Sequence, residues 1–149
     1  MRRRLFFILP ITPTAQQRPR HARVGGHDVT YKSESQKANE RTLEAMLLPH
    51  RPKTPLKGPL ELYFCATFPV PRSWTKKRRE AALRGKIWHT SRPDTDNLCK
   101  QLKDAMTRLG FWQDDRQVAV CCAEKCYGER GEWRVSVSEL ESGEKREEA

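Results

Sequence analysis

A chain of 149 residues with 29 Lys and Arg against 19 Asp and Glu, a formal net charge of +10, has room for one core and attracts anionic partners. Its first apolar run, residues 5–11, is broken by Pro10 and is far shorter than the roughly 20 residues that cross a bilayer, so a membrane span is excluded. The polar, proline-bearing stretch after it has no small-residue cleavage pattern, so the run reads as a buried first strand rather than a signal peptide.

In chain order, residues 5–11 read as that strand and residues 12–27 as a loop holding Arg18, Arg20, His21 and Arg23, with a tight turn at Gly25-Gly26. Residues 28–31 form a short extended piece. Ser33 caps a helix over 34–48 whose apolar side is Leu43, Met46 and Leu47. Pro49, Pro52, Pro55 and Pro59 make the next stretch a loop. Leu60, Leu62, Phe64, Ala66 and Phe68 alternate and predict a strand over 60–68, with Cys65 on its other face. Ser73 is placed to cap a helix over 74–83 that carries Lys76, Lys77, Arg78 and Arg79.

Leu98, Leu102, Ala105, Met106 and Leu109 recur at helical spacing over 97–109, and Gly110 stops that helix. Residues 117–126 and 132–140 read as two strands joined by a hairpin-like turn at 128–131. From Glu139 onward five glutamates face only Lys145 and Arg146. Residues 1–140 are therefore expected to form the domain and 141–149 an acidic, disordered tail. These elements point to an α+β fold, a single small domain with a mixed sheet packed by helices. The cysteines at 65, 99, 121, 122 and 126 contain no Cys-x-x-Cys pair, so buried free thiols in a reducing, cytoplasmic setting are expected rather than a zinc site.

The chemistry concentrates at Arg92-Pro93-Asp94-Thr95-Asp96-Asn97-Leu98-Cys99-Lys100. Extended residues two apart point the same way, and two carboxylates held together repel unless a cation lies between them. Mg²⁺ prefers such oxygen ligands and keeps several waters. The local pattern alone favours a plainer reading, in which Asp96 or Asn97 caps the helix and forms a surface salt bridge. Asp114 and Asp115 add carboxylates just after the helix stop, with Trp112 as an anchor for the turn. The helix between the two acidic stretches is about 20 Å long, so spacing alone leaves Asp115 at its far end.

Asp94-Thr95-Asp96-Asn97-Leu98-Cys99-Lys100, followed by Phe111-Trp112-Gln113-Asp114-Asp115-Arg116-Gln117-Val118, resembles the RusA family of Holliday-junction resolvases, in its phage and prophage form. The family pattern is Asp-x-Asp-Asn-Leu-x-Lys, then an aromatic before Asp-Asp-x-Gln-Val, and both parts occur in order. The resemblance implies that Asp94, Asp96 and Asp115 are metal-binding and catalytic acids, that Lys100 is a catalytic lysine, and that Asp114 can join the metal set. Asn97 is implied as a positioning residue. It further implies an Mg²⁺-dependent endodeoxyribonuclease, with Mn²⁺ as a substitute, working as a homodimer on four-way junctions by paired nicks.

Arg18, Arg20, Arg23, Lys76, Lys77, Arg78 and Arg79 are expected to meet DNA phosphates, which gives salt dependence with little base discrimination. Trp74 and Phe68 fit core or interface packing better than a wedge in the junction, and His89, His21 and His27 are weaker phosphate contacts. The competing readings are a non-catalytic basic nucleic-acid-binding module, a nuclease selective for flaps or branches, and a structural phage protein with an incidental basic patch.

Overall fold

The alternating run that begins at Leu60 becomes the central strand of the molecule. In the computed structural model, which describes residues 2–141, the order is β1 (Arg4–Leu9), β2 (Arg20–Val24), β3 (His27–Tyr31), α1 (Glu34–Leu47), β4 (Leu60–Pro69), α2 (Lys76–Leu83), α3 (Thr95–Leu109), β5 (Val118–Gly128) and β6 (Glu132–Glu139). Single 3-10 turns occupy Leu48–His50 and Asp115–Gln117. The expected acidic tail, apart from Glu141, lies outside the described residues.

Four strands form one sheet in the order β1-β6-β4-β5. β6 is antiparallel to β1 and β4, and β5 is parallel to β4. A parallel pair needs a long crossover, and the stretch holding α2 and α3 provides it. The sheet is therefore mixed and the fold α+β, as the sequence predicts.

The last two strands do not form the expected hairpin. β4 lies between them, and residues 129–131 cross its end. The strand with the strongest apolar alternation takes the place where both its edges are paired, whereas a β5–β6 hairpin would leave one edge open. Gly131 packs against residue 12 so closely that an added Cβ would stand 2.5 Å from the Thr12 Cα.

Leu60, Leu62, Phe64, Ala66 and Phe68 are all buried, beside Trp133, Val135 and Val137 of β6 and Phe7 and Leu9 of β1. Leu43 and Leu47 of α1 and Leu98, Leu102, Ala105 and Met106 of α3 complete this core. Each Val, Leu, Phe or Met among them contributes about 1.5–3 kcal/mol when buried. Among the described residues no helix lies on the opposite face of the sheet, and Phe6 is 64% exposed there.

Three local readings need correction. Residues 20–24, expected as loop, are a strand: β2 pairs with β3, which includes the expected extended piece, and the expected turn at Gly25 and Gly26, with φ 60 and 80, closes the ribbon; paired positive φ suits the two-residue hairpin turn. The basic helix is capped by Thr75, whose Oγ1 accepts from Arg78 N at 3.3 Å, because residues 71–74 already form a turn closed by Trp74 N–H on the Pro71 carbonyl at 3.2 Å. The thiols are not uniformly buried: Cys121 and Cys122 are exposed because β5 is an edge strand. Among the described residues no helix is long and apolar enough to cross a membrane.

Candidate functional site

α3 starts at Thr95, two residues earlier than the apolar spacing predicts. Asp94 thereby occupies the cap position, with extended φ −71 and ψ 155, yet its carboxylate caps no backbone N–H. Asp96 falls within the first turn. Asn97 is engaged elsewhere: its Oδ1 accepts from Gln16 N at 2.8 Å and its Nδ2 donates to Gln16 O at 3.2 Å. The capping explanation of these acids therefore loses its structural basis, and the Asn97 side chain ties residue 16 to α3.

One turn on, Gln101 Nε2 donates to Thr14 O at 3.0 Å. Asn97 and Gln101 thus hold residues 14–16 against α3, and Gln17 N donates to Gln36 Oε1 of α1 at 2.8 Å. The result is an open cavity of about 570 Å³ lined by Gln16, Arg18, Arg92, Pro93, Asp94 and Asn97 among others. The segment leading to Asp94 is held from β5: Lys125 Nζ donates to Ser91 O at 2.7 Å and to Pro93 O at 3.0 Å.

The second acidic group lies at the other end of α3. Gly110, at φ 80, ends the helix, and Phe111 N donates to Met106 O at 3.0 Å. Trp112 is buried as expected, its Nε1 donating to Thr107 Oγ1 at 2.7 Å, and Leu56 N donates to Phe111 O at 2.7 Å. The turn so fixed places Asp115 with Asp104, Thr107, Arg108, Gln113 and Asp114 around a cavity of about 320 Å³.

Asp114 has a structural task. Its Oδ1 accepts from Arg116 N at 2.8 Å and its Oδ2 from Arg116 Nε at 3.0 Å. These bonds to Arg116 hold its carboxyl below the usual carboxylate range. Gln117 Oε1 answers by accepting from Asp114 N at 3.1 Å, and its Nε2 reaches Leu56 O and Gly58 O.

A fifteen-residue helix separates the two groups by about 22 Å. Among the described residues no three His, Cys, Asp or Glu side chains come together to hold a metal ion. One chain therefore does not bring Asp94, Asp96 and Asp115 together. Lys100 lies between them on α3, with its Nζ 3.0 Å from Asp104 and its side chain 67% exposed.

Arg18 reaches the Asp94 cavity, whereas Arg20 and Arg23 lie on the exposed β2–β3 ribbon with His21 and His27. On α2, Lys76, Lys77 and Arg78 are exposed and Arg79 is half-buried. The Arg78 guanidinium lies over the Trp74 ring at 3.7 Å, and Trp74 meets Tyr127 edge-on at 5.0 Å. Tyr127 meets His89 at 4.9 Å, and His89 stacks on Phe68 at 4.1 Å. Burial, followed by the charge of Lys125, pushes the His89 pKa below its ordinary value. His89 is buried in this stack, which fits its standing as a weaker phosphate candidate; Phe68 and Trp74 pack as expected.

Sequence reasoning missed Lys125 and Arg92. The signal for Lys125 was present, since it falls on the inward face of β5 opposite Ala66, where a charged residue needs a partner.

A family model described as endodeoxyribonuclease RusA matches residues 10–138. The chain is 31% identical over 134 residues to the crossover junction endodeoxyribonuclease rusA of Lactococcus phage r1t, covering 90% of this chain and 95% of that protein. It is 32% identical over 130 residues to the uncharacterized protein YqaN of Bacillus subtilis (strain 168), covering 86% of this chain and 91% of that protein.

Proposed function

The chain belongs to the endodeoxyribonuclease RusA family, and on that footing we propose that it resolves four-way DNA junctions by paired, divalent-metal-dependent nicks. The observation that carries the reading is the Asp94 carboxylate, which holds the cap position of α3, caps nothing, and instead borders a cavity with Arg18 and Arg92. A carboxylate released from structural duty, in a cavity that two arginines also line, suits a site where a metal and a phosphate meet.

Asp94 and Asp96 are the first pair of metal ligands and Asp115 the third acid. Because about 22 Å of helix divides them, the site is completed in a homodimer, with Asp94 and Asp96 of one protomer facing the partner subunit's Asp115. Mg²⁺, or Mn²⁺ in its place, would polarise the phosphate and lower the pKa of an attacking water. Lys100, exposed on the same helix, neutralises charge on the phosphate. Asp114 stays with Arg116 and keeps the Asp115 turn in shape. Arg18, Arg20, Arg23, Lys76, Lys77, Arg78 and Arg79 hold the arms through their phosphates. Two sites related by a twofold match the two strands that must be cut.

The test is incubation with labelled four-way junction, flap and linear duplex, with Mg²⁺ or with EDTA. Symmetrical nicking of the junction alone, abolished by EDTA, is expected. Equal cutting of all three would leave a nuclease without junction selectivity; binding of the junction with no cutting would leave a binding module.

A further inference from the structure

Trp88 is 75% exposed, although tryptophan is ordinarily among the most buried side chains on average. Its backbone is fixed. Before it, Lys86 N donates to Ala81 O at 3.0 Å. After it, His89 stacks on Phe68 at 4.1 Å, and Lys125 holds the carbonyls of Ser91 and Pro93. The indole is therefore displayed from an anchored segment rather than a loose one. Arg84, Lys86 and Arg92 are exposed along the same segment, which reaches Asp94 within six residues. Six residues span at most about 20 Å.

From this arrangement we infer that Trp88 is a stacking platform for an unstacked nucleobase at the branch point of the DNA, held within about 20 Å of Asp94. The inference rests on the branched-DNA reading and deepens it. An aromatic face among cations fits single-stranded DNA, whose bases stack on the ring while phosphates meet the charges. An apolar protein surface would instead have to desolvate Arg84, Lys86 and Arg92. Within intact duplex every base face is already stacked on its neighbours. The branch point, where the continuous stack of each arm is interrupted, is where a face becomes available.

The test uses the full chain with three DNAs carrying 2-aminopurine: a four-way junction labelled at the crossover, a linear duplex and a single-stranded oligonucleotide. Affinity, 2-aminopurine emission and tryptophan emission are read for the wild type, Trp88→Ala and Trp88→Phe, with sedimentation of each. Trp112 and Trp133 are buried and Trp74 lies under Arg78, so quenching lost in Trp88→Phe reports Trp88. The expected result is roughly tenfold weaker junction binding by Trp88→Ala, near-normal binding by Trp88→Phe, and unchanged duplex binding. Equal losses on junction and duplex, a changed oligomeric state, or unaltered junction affinity and quenching would each overturn the inference. Trp88 quenching by single strands, without preference for the junction over duplex, would support the platform while removing the junction reading. Failure to bind any of the three DNAs would overturn both.

Discussion

Asp94 and Asp115 stand beyond opposite ends of one helix, the fifteen-residue α3, which is about 22 Å long. The helix is held at both ends. Asn97 and Gln101 tie its start to residues 14–16, and Trp112 seals the turn after its end. Neither acid can reach the other by a side-chain rotation. The separation is a property of the packed fold, so a site using both acids needs two copies of the chain.

Replacing either acid by Asn should remove cutting and spare binding. Asp94→Asn and Asp115→Asn are each expected to slow junction cleavage by at least about a hundredfold. Junction affinity should stay within a few-fold, because the basic residues are untouched. Single-turnover cleavage and a binding titration separate the two effects.

Lys125 predicts a different split. Its ammonium holds the Ser91 and Pro93 carbonyls, and bonds to a charged group contribute about 1.5–3 kcal/mol each at most. Lys125→Met should lower the thermal midpoint by several degrees. It should also reduce the cleavage rate, by freeing the segment before Asp94, more than it reduces DNA affinity. A variant with wild-type stability and rate would remove the clamp from the account.

The basic helix should act through phosphates alone. The double variant Lys76→Ala, Lys77→Ala is expected to weaken binding of junction and duplex alike and to reduce the steepness of the log-affinity against log-salt plot by about 1–2. A loss confined to one sequence would indicate base contacts instead.

Much of this was legible in residue patterns. The inward face of β4, the core face of α3 and the Gly110 stop follow from spacing, since burial acts on periodicity directly. The strand order was not legible. β5 and β6 are separated by three residues in the chain and by a whole strand in the sheet, and pairing choice depends on which strand gains most by being central. The cap at Thr75 was hidden because the preceding turn uses up Ser73. The two-part acidic motif was legible as chemistry, and helix length already placed Asp115 toward the far end of α3; whether the chain after Gly110 turned back was not legible, because it depends on how Trp112 packs.

Stability should fall in mild acid through His89. Its folded pKa lies below the ordinary 6.5, through burial and then Lys125. As pH drops below that value the unfolded chain takes up the proton first, so stability present above pH 6.5 is lost as the pH falls toward the folded value. Glu139 is held below 4.5, chiefly by the Lys57 N–H and then by Arg3, and its loss begins only at lower pH. Thermal midpoints between pH 7 and 5 should therefore fall more for the wild type than for His89→Phe. Equal slopes would assign the acid sensitivity elsewhere.

The shared site is tested most directly by mixing two inactive proteins. Asp94→Asn and Asp115→Asn chains are co-expressed with different tags, the heterodimer is purified, and its nicking of a supercoiled cruciform plasmid is compared with that of each homodimer. If the acids come from two protomers, the heterodimer holds one intact site and one doubly altered site, so it should convert the plasmid to nicked circles while both homodimers stay inactive. If each site were built within one chain, every site in the heterodimer would carry one substitution, and the absence of nicking would contradict the account.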